Sequence, residues 1–288
     1  MSILVFVRPA PAWDKLRFDL STGAVEVPAD TLVGLSAFGE GTWTLNVSDR
    51  AALDAAVGLG VEGQGSEVRN GANGGAEAVP PQIIAVALAS HPADAAEAAL
   101  REALARGATQ AILVTGAPAA DAYLTTSVLA TLVDHLAIRG GVDTVLLGAE
   151  TPGDWPDEVG PMLAEALGWA SLSAARALQA TADGSGLHAT TAVGTFALPR
   201  PAVVSLLPNP ALSPRYAPGG AVIAAFRKQT VEPLSLADLG LTGAGDDLAT
   251  ARVTVRRATL GAPPVSERLN GPVEESVAVL LAGLRDWL

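Results

Sequence analysis

Five short runs dense in Val, Ile and Leu, each set apart from the next by a longer stretch, constrain this chain more than any other feature. They are Ile3 to Val7, Ile83 to Leu88, Ala111 to Val114, Thr144 to Leu147 and Ala202 to Leu207. A strand with one wet face alternates polar and apolar residues, whereas a continuous apolar run must be covered on both faces. Such runs alternating with helices specify a parallel sheet between two helical layers. The stretches between them have the matching period. Leu124, Val128, Leu132, Val133 and Leu136 fall on one helical stripe, and Leu100 and Leu104 on another. Gly107 and the pair Gly140-Gly141 follow these helices, where a left-handed residue closes the last turn. To about Leu172 the chain reads as an α/β fold, a three-layer doubly wound, mostly parallel sheet.

Beyond Leu172 the texture changes. Asp183-Gly184-Ser185-Gly186 lies between two strand-forming runs, a hairpin signal, and the antiparallel pair is expected to join the sheet near its end. From Leu207 to about Pro272 the chain is rich in Pro and Gly with few periodic stretches. Val277, Leu281, Leu284 and Leu288 then form a final helical stripe that needs a surface to dock on. The expected organisation is a nucleotide-binding-type α/β domain over residues 1–206 and a C-terminal arm and helix over 207–288 that wraps a partner. Within the first domain, Val61 to Pro81 is glycine-rich and weakly hydrophobic, and reads as a flexible surface loop.

Composition narrows the function classes. Lys and Arg total 18 against 30 Asp and Glu, a net charge of -12, so phosphate backbones are repelled and a nucleic-acid role is excluded. There are no cysteines, which removes disulfides, thiolate metal sites and thiol nucleophiles together. No apolar run approaches the ~20 residues a membrane span requires, so no membrane insertion is expected. The opening MSILVFVRPAP reads as a buried first strand and not as a leader, which makes a cytoplasmic protein the expectation. His91, His135 and His188 share no ligand spacing, and no Gly-x-Ser-x-Gly elbow exists. The sequence nominates no catalytic residue and no metal site, and the expectation is a protein that is not an enzyme. Gly58, Gly60 and Gly63 match a dinucleotide fingerprint, but a helix from Asp49 to Leu59 precedes them and a loop follows, the reverse of what phosphate binding needs. Asn46-Val47-Ser48 matches a glycosylation sequon without a secretory signal to support it.

One connection has the chemistry of a binding site. The strand Thr144 to Leu147 ends in a Gly/Pro-rich loop that enters a helix near Gly160-Pro161, and proline suits a first helical turn. Such a loop lies at the carboxyl end of a parallel strand and faces free helix N–H groups, where open α/β sheets bind nucleotides. An ordinary strand-to-helix connection accounts for the same residues.

Several segments, in order, resemble the electron transfer flavoprotein beta family. Asn46, Asp49, Ala52, Leu53 and Ala56 match its Asn-Pro-x-Asp-Glu stretch. AALREALARGATQAILV, ending at Val114, is close to the family phrase, as is Glu158 through Gly168, with Glu158 where the family has Gln. Pro201-Ala202-Val203-Val204, then Asn209 with Pro214-Arg215-Tyr216, complete the series. The resemblance runs from Ile3 to about Lys228.

It implies an adenine nucleotide alpha hydrolase-like fold and the role of a beta subunit in a heterodimer with an alpha-type subunit. The alpha subunit would hold most of the FAD, shared at the interface, and the beta subunit would hold AMP, or a second FAD in bifurcating members. Such a carrier accepts electrons from a flavoprotein dehydrogenase and relays them towards the respiratory chain. The residues implied at the cofactors are Trp13, Asn46, Thr151, Gly153, Asp154, Asp157, Glu158, Val159 and Gly160. Trp13 occupies the place of an aromatic near the flavin ring, although a core tryptophan accounts for it equally. The residues implied at the partner are Pro214, Arg215, Tyr216, Pro218, Gly219, Val222 and Ile223. Three departures stand out: the insertion at 61–81, the acidic nucleotide loop, and Pro218-Gly219-Gly220 in place of a projecting leucine. The acidic loop predicts weakened or absent AMP, and the Pro-Gly-Gly a flatter, more flexible turn. Two alternatives stay open: a nucleotide-binding regulator of the universal-stress kind, and a structural-only beta-like subunit without nucleotide.

Overall fold

A computed structural model describes residues 2–11, 17–19, 24–26, 43–65, 81–89, 93–116, 121–150, 158–211, 215–241 and 272–285. In chain order it contains β1 (Ser2–Phe6), β2 (Pro9–Pro11), β3 (Arg17–Asp19), β4 (Ala24–Glu26), β5 (Trp43–Leu45), α1 (Val47–Gly65) and β6 (Gln82–Leu88). There follow α2 (Ala93–Arg106), β7 (Gln110–Thr115), α3 (Ala122–Ala137), β8 (Thr144–Gly148), α4 (Val159–Leu167), β9 (Ala170–Ala175) and β10 (Ala177–Ala180). The last are β11 (Gly186–Thr191), β12 (Gly194–Pro199), β13 (Ala202–Leu206), α5 (Gly219–Arg227), β14 (Glu232–Ser235) and α6 (Val273–Arg285). The chain divides into a larger unit, residues 1–16 and 27–254, and a smaller one, residues 17–26 and 255–288.

The larger unit is built on a seven-stranded sheet in the order β14-β7-β6-β1-β8-β13-β9, parallel at every pairing. All five apolar runs of the sequence are strands of it. Alternation along β1 divides the core in two. Ile3, Val5 and Val7 enter one apolar cluster with Leu53 of α1, Leu100 of α2 and Ala225 of α5. Leu4 and Phe6 enter the other, with the α3 stripe Leu124, Val128, Leu132, Val133 and Leu136 and with Leu163 of α4. A side-chain period of two thus places α1, α2 and α5 on one face and α3 and α4 on the other. The mostly parallel three-layer α/β fold follows.

Four expectations need correction. The hairpin exists, with Gly184 at φ 72, but its strands do not join the main sheet; β10-β11-β12 form a separate antiparallel sheet. Ala174 at φ 59 and a register shift between Val204 and Leu206 break the β9–β13 pairing just before β10 departs. Helix α1 runs to Gly65, so Val61 to Gly65 are helical and not part of a flexible loop; residues 66–80 lie outside the described residues. Burial of Ala52, Leu53, Ala56 and Leu59 along one face outweighs the cost of ~1 kcal/mol per helical glycine. Gly60 contributes positively, since a Cβ there would lie 3.0 Å from Pro81 Cγ. Part of the segment expected as an arm is built into the larger unit: α5 belongs to the core around α2, and β14 extends the main sheet beside β7. Finally, Pro218-Gly219-Gly220 is no flexible turn. Pro218 is the N-cap of α5 and the two glycines form its first turn, where the fixed φ of proline is compatible with helix entry.

The smaller unit comprises the antiparallel pair β3–β4 and helix α6. The expected final stripe is helical at Val277, Leu281 and Leu284, and Val277 and Leu281 are exposed; Leu288 lies outside the described residues.

Candidate functional site

The sheet order reverses between β1 and β8. From β1 the chain proceeds outward through β6 and β7, then crosses back by α3 to β8 on the other side. The carboxyl ends of these two strands therefore flank the topological switch point, where open α/β sheets bind ligands.

A buried carboxylate fastens that edge. Asp49, in the first turn of α1, is fully buried. Its Oδ2 accepts from the Arg8 backbone N–H at 2.7 Å and from Arg8 Nε at 3.3 Å. Its Oδ1 accepts from Arg8 Nη2 and from the Gly148 N–H, both at 2.9 Å. Arg8 Nη2 also donates to the Gly148 carbonyl at 2.8 Å. The first residues past β1, the end of β8 and the N-terminus of α1 are so tied at one point. A glycine is required at 148, because a Cβ would stand 2.2 Å from Asp49 Oδ1 and 2.7 Å from the Asp49 nitrogen. Asn46 adds a second tie: its backbone N–H donates to Arg8 O at 3.1 Å, and its Nδ2 donates to Glu150 O at 2.6 Å. At 3% exposure, Asn46 is no glycosylation acceptor in the fold.

The loop that leaves Glu150 ends at α4. Glu158 is the N-cap of that helix, exposed, at φ -75 and ψ -38, and its carboxylate makes no capping hydrogen bond. Val159 and Gly160 supply the first N–H groups, which have no acceptor within the helix, and Pro161 supplies none. A helix N-terminus at the carboxyl edge whose N-cap side chain makes no hydrogen bond to it has the donor set of a phosphate site. Of the residues inferred from the sequence, Asn46, Glu158, Val159 and Gly160 are therefore at this edge, while Trp13, Thr151, Gly153, Asp154 and Asp157 lie outside the described residues. Gly58, Gly60 and Gly63 lie inside α1 and form no phosphate loop.

The inferred partner residues gather elsewhere, on α2. Arg215, Pro218 and Gly219 are exposed, Tyr216 is 84% exposed and Ile223 46%, while Val222 packs against the core; Pro214 lies outside the described residues. Arg101 Nη1 donates to the carbonyls of Ala225 at 2.6 Å and Gln229 at 2.7 Å, and Arg106 Nη1 donates to that of Arg215 at 2.6 Å. Between this segment and the switch-point edge stands Glu102. Burial raises its pKa, but Arg50, the Leu45 N–H and Arg106 together outweigh that and hold the carboxyl below its ordinary value. Nearby Asp54 is pushed the other way: burial raises its pKa against the attraction of Arg106, Arg215 and Arg50, and its Oδ1 has no hydrogen-bond partner.

Sequence reasoning did not assign roles to Arg8, Asp49, Gly148 or Glu102. The available signals were faint: a lone cation just past an apolar strand, an acid in a first helical turn, and a glycine closing a strand.

Fold and site together define a doubly wound α/β protein with a nucleotide-type edge at its switch point. The Electron transfer flavoprotein domain family matches residues 39–239, and the chain belongs to that family. The matched span ends within the turn that follows β14, so it includes α5 and β14. No curated protein matches the chain. Family membership carries a role in electron transfer and, in general, flavin binding. Among the described residues, no helix is long and apolar enough to cross a membrane.

Proposed function

We propose that the chain is the beta-type subunit of a heterodimeric electron transfer flavoprotein, which takes electrons from a flavoprotein dehydrogenase and relays them towards the respiratory chain, itself a carrier and not an enzyme. The observation that carries this reading is the α4 N-terminus, which its N-cap Glu158 leaves without a side-chain bond, beside the tied ends of β1 and β8. Its donor set fits a nucleotide phosphate. Val159 and Gly160 would donate to the phosphate, with Asn46 holding the start of the loop through Glu150 and Thr151, Gly153, Asp154 and Asp157 following along it. Glu158 brings a carboxylate to the same helix end and weakens anion binding, which favours low AMP content or a beta-like subunit without nucleotide.

Flavin, when bound, supplies the electron-accepting and electron-donating chemistry. The FAD would be held mainly by an alpha-type partner, with Trp13 contributing at the interface, as the resemblance implies. Exposed Val277 and Leu281 on α6 support a partner of this kind, since an apolar helix face gains by being covered. The family match favours this reading over the universal-stress alternative. Capture of the full chain with its partners from a cytoplasmic extract tests the reading. A yellow complex with a second, flavin-bearing subunit supports it, and a colourless homodimer that binds ATP refutes it. AMP released on denaturation separates a nucleotide-holding subunit from a structural one.

A further inference from the structure

The polar face of α2 carries two arginines, each braced by a glutamate on its own helix. Arg101 is held by Glu97 and Arg106 by Glu102, both at 2.9 Å and both one turn apart with the acid first, the favourable orientation. Each arginine spends its other end on main-chain carbonyls of the segment that exposes Tyr216 and Ile223. The two braces differ in one respect. Glu97 serves Arg101 alone among the described side chains, whereas Glu102 is a hub. Its Oε2 accepts from the Leu45 N–H at 2.9 Å and the Thr44 hydroxyl at 3.0 Å, and its Oε1 accepts from Arg50 Nε at 2.9 Å. Arg50 also donates to the Thr44 hydroxyl. Arg50 follows Asp49 directly in the first turn of α1. A continuous chain of charge-assisted bonds therefore runs from the switch-point edge through Arg50, Glu102 and Arg106 to the Arg215 carbonyl.

We propose that Glu102 is a positioning residue for the partner-facing surface: by holding Arg106 it pins the Arg215 carbonyl and presents Tyr216 on an ordered backbone. The arrangement has a physical rationale. A side chain 84% exposed gains nothing from the core, so the order of its backbone must come from elsewhere. Pro218 and the two helical glycines that follow add little packing; Ala217 packs against the core, and the carbonyl of Arg215 is the hydrogen-bonded point where the segment just ahead of α5 is gripped. Pre-ordering a contact segment lowers the entropy lost on association. An arginine without its bracing carboxylate recovers rotamer freedom and grips less well. The partner role of the segment rests on the reading proposed above; the positioning role does not.

Trypsin is a direct probe, because the carbonyl that Arg106 holds is the scissile carbonyl after Arg215. In the full chain within its purified complex, Glu102→Gln is expected to raise cleavage after Arg215 roughly ten-fold, the scale of one lost charged hydrogen bond. Cleavage after Arg227, whose helix is gripped by Arg101, should stay unchanged. Glu97→Gln should show the opposite selectivity, and Glu102→Asp a partial return. The second arm measures affinity for the donor flavoprotein captured with the complex. There Glu102→Gln should weaken binding in the native background and have no further effect in a Tyr216→Ala background. A merely structural role would give the same loss in both. Unchanged cleavage after Arg215, or an equal rise at Arg227, overturns the positioning role. Selective cleavage with unaltered donor affinity upholds that role and overturns the assignment of the segment to the donor.

Discussion

Asp49→Asn is nearly isosteric, yet it should be among the most damaging substitutions at the sheet edge. Each carboxylate oxygen accepts two hydrogen bonds, Oδ1 from Gly148 N–H and Arg8 Nη2, Oδ2 from Arg8 N–H and Nε. An amide fails in either orientation. Its NH₂ group must face two donors, so two bonds are lost and a buried donor is left against another. The substitution also removes the buried counter-charge of Arg8, whose side chain is only 15% exposed. Two bonds to a charged group contribute ~1.5–3 kcal/mol each, and breaking a buried pair costs ~3–5 kcal/mol by itself. These are two accounts of the same loss and are not to be added, so the expected destabilisation is ~3–5 kcal/mol. At ~2–4 °C per kcal/mol for a domain of this size, the melting temperature falls by ~6–20 °C. Denaturant midpoints and calorimetry on the purified complex measure it. A second substitution, Arg8→Met on top of Asp49→Asn, should recover part of the loss, because it takes away the charge left behind. A loss below ~1 kcal/mol for Asp49→Asn, or strict additivity in the pair, would refute the role assigned to this carboxylate.

Glu158→Gln should restore or tighten AMP, since it removes a carboxylate from the helix end that faces the phosphate; stoichiometric AMP in the native complex, unmoved by the change, would contradict this. The two carboxylates near Arg106 should bend the stability-versus-pH curve in opposite directions. Glu102, held below its ordinary value of 4.5, contributes stability that is present above that value and is lost as pH falls through its folded pKa, so Glu102→Gln should flatten the acid limb. Asp54, raised above 3.8, binds its proton more tightly folded than unfolded, so its contribution falls as pH rises through the window above 3.8, and Asp54→Asn should be neutral or stabilising at pH 7 in urea titrations. Ile223→Ala should weaken donor binding by roughly ten-fold if the exposed face of α5 is the anchor, as removal of a buried aliphatic contact worth ~1.5 kcal/mol requires, and steady-state KM for the donor reads it. Brisk turnover with an ordinary acyl-CoA dehydrogenase, unaffected by that change, would set α5 aside.

Much of the framework was legible without coordinates, because it rests on local periodicity. A strand covered on both faces advertises itself as a run of Val, Ile and Leu, and the α3 stripe advertises the face it buries; all five runs and that stripe hold their expected places. The Asp183-Gly184-Ser185 turn was equally local, since its acid accepts from Thr181 and Ser185 within two residues, which lowers its pKa to about 2. Tertiary structure decided what depended on residues distant in sequence. Helix α1 persisted through its glycines because burial outweighs propensity, and α5 formed after Pro218 because α2 offers its alanines and arginines as a seat. The site shows the division most clearly. Asp49 meets Arg8 across 41 residues and Gly148 across 99, and Glu102 meets Thr44 across 58. No period in the sequence encodes such pairings; they exist because the order β6-β1-β8 brings the ends of two strands and the start of α1 to one edge, where a buried carboxylate must find donors or not be buried at all.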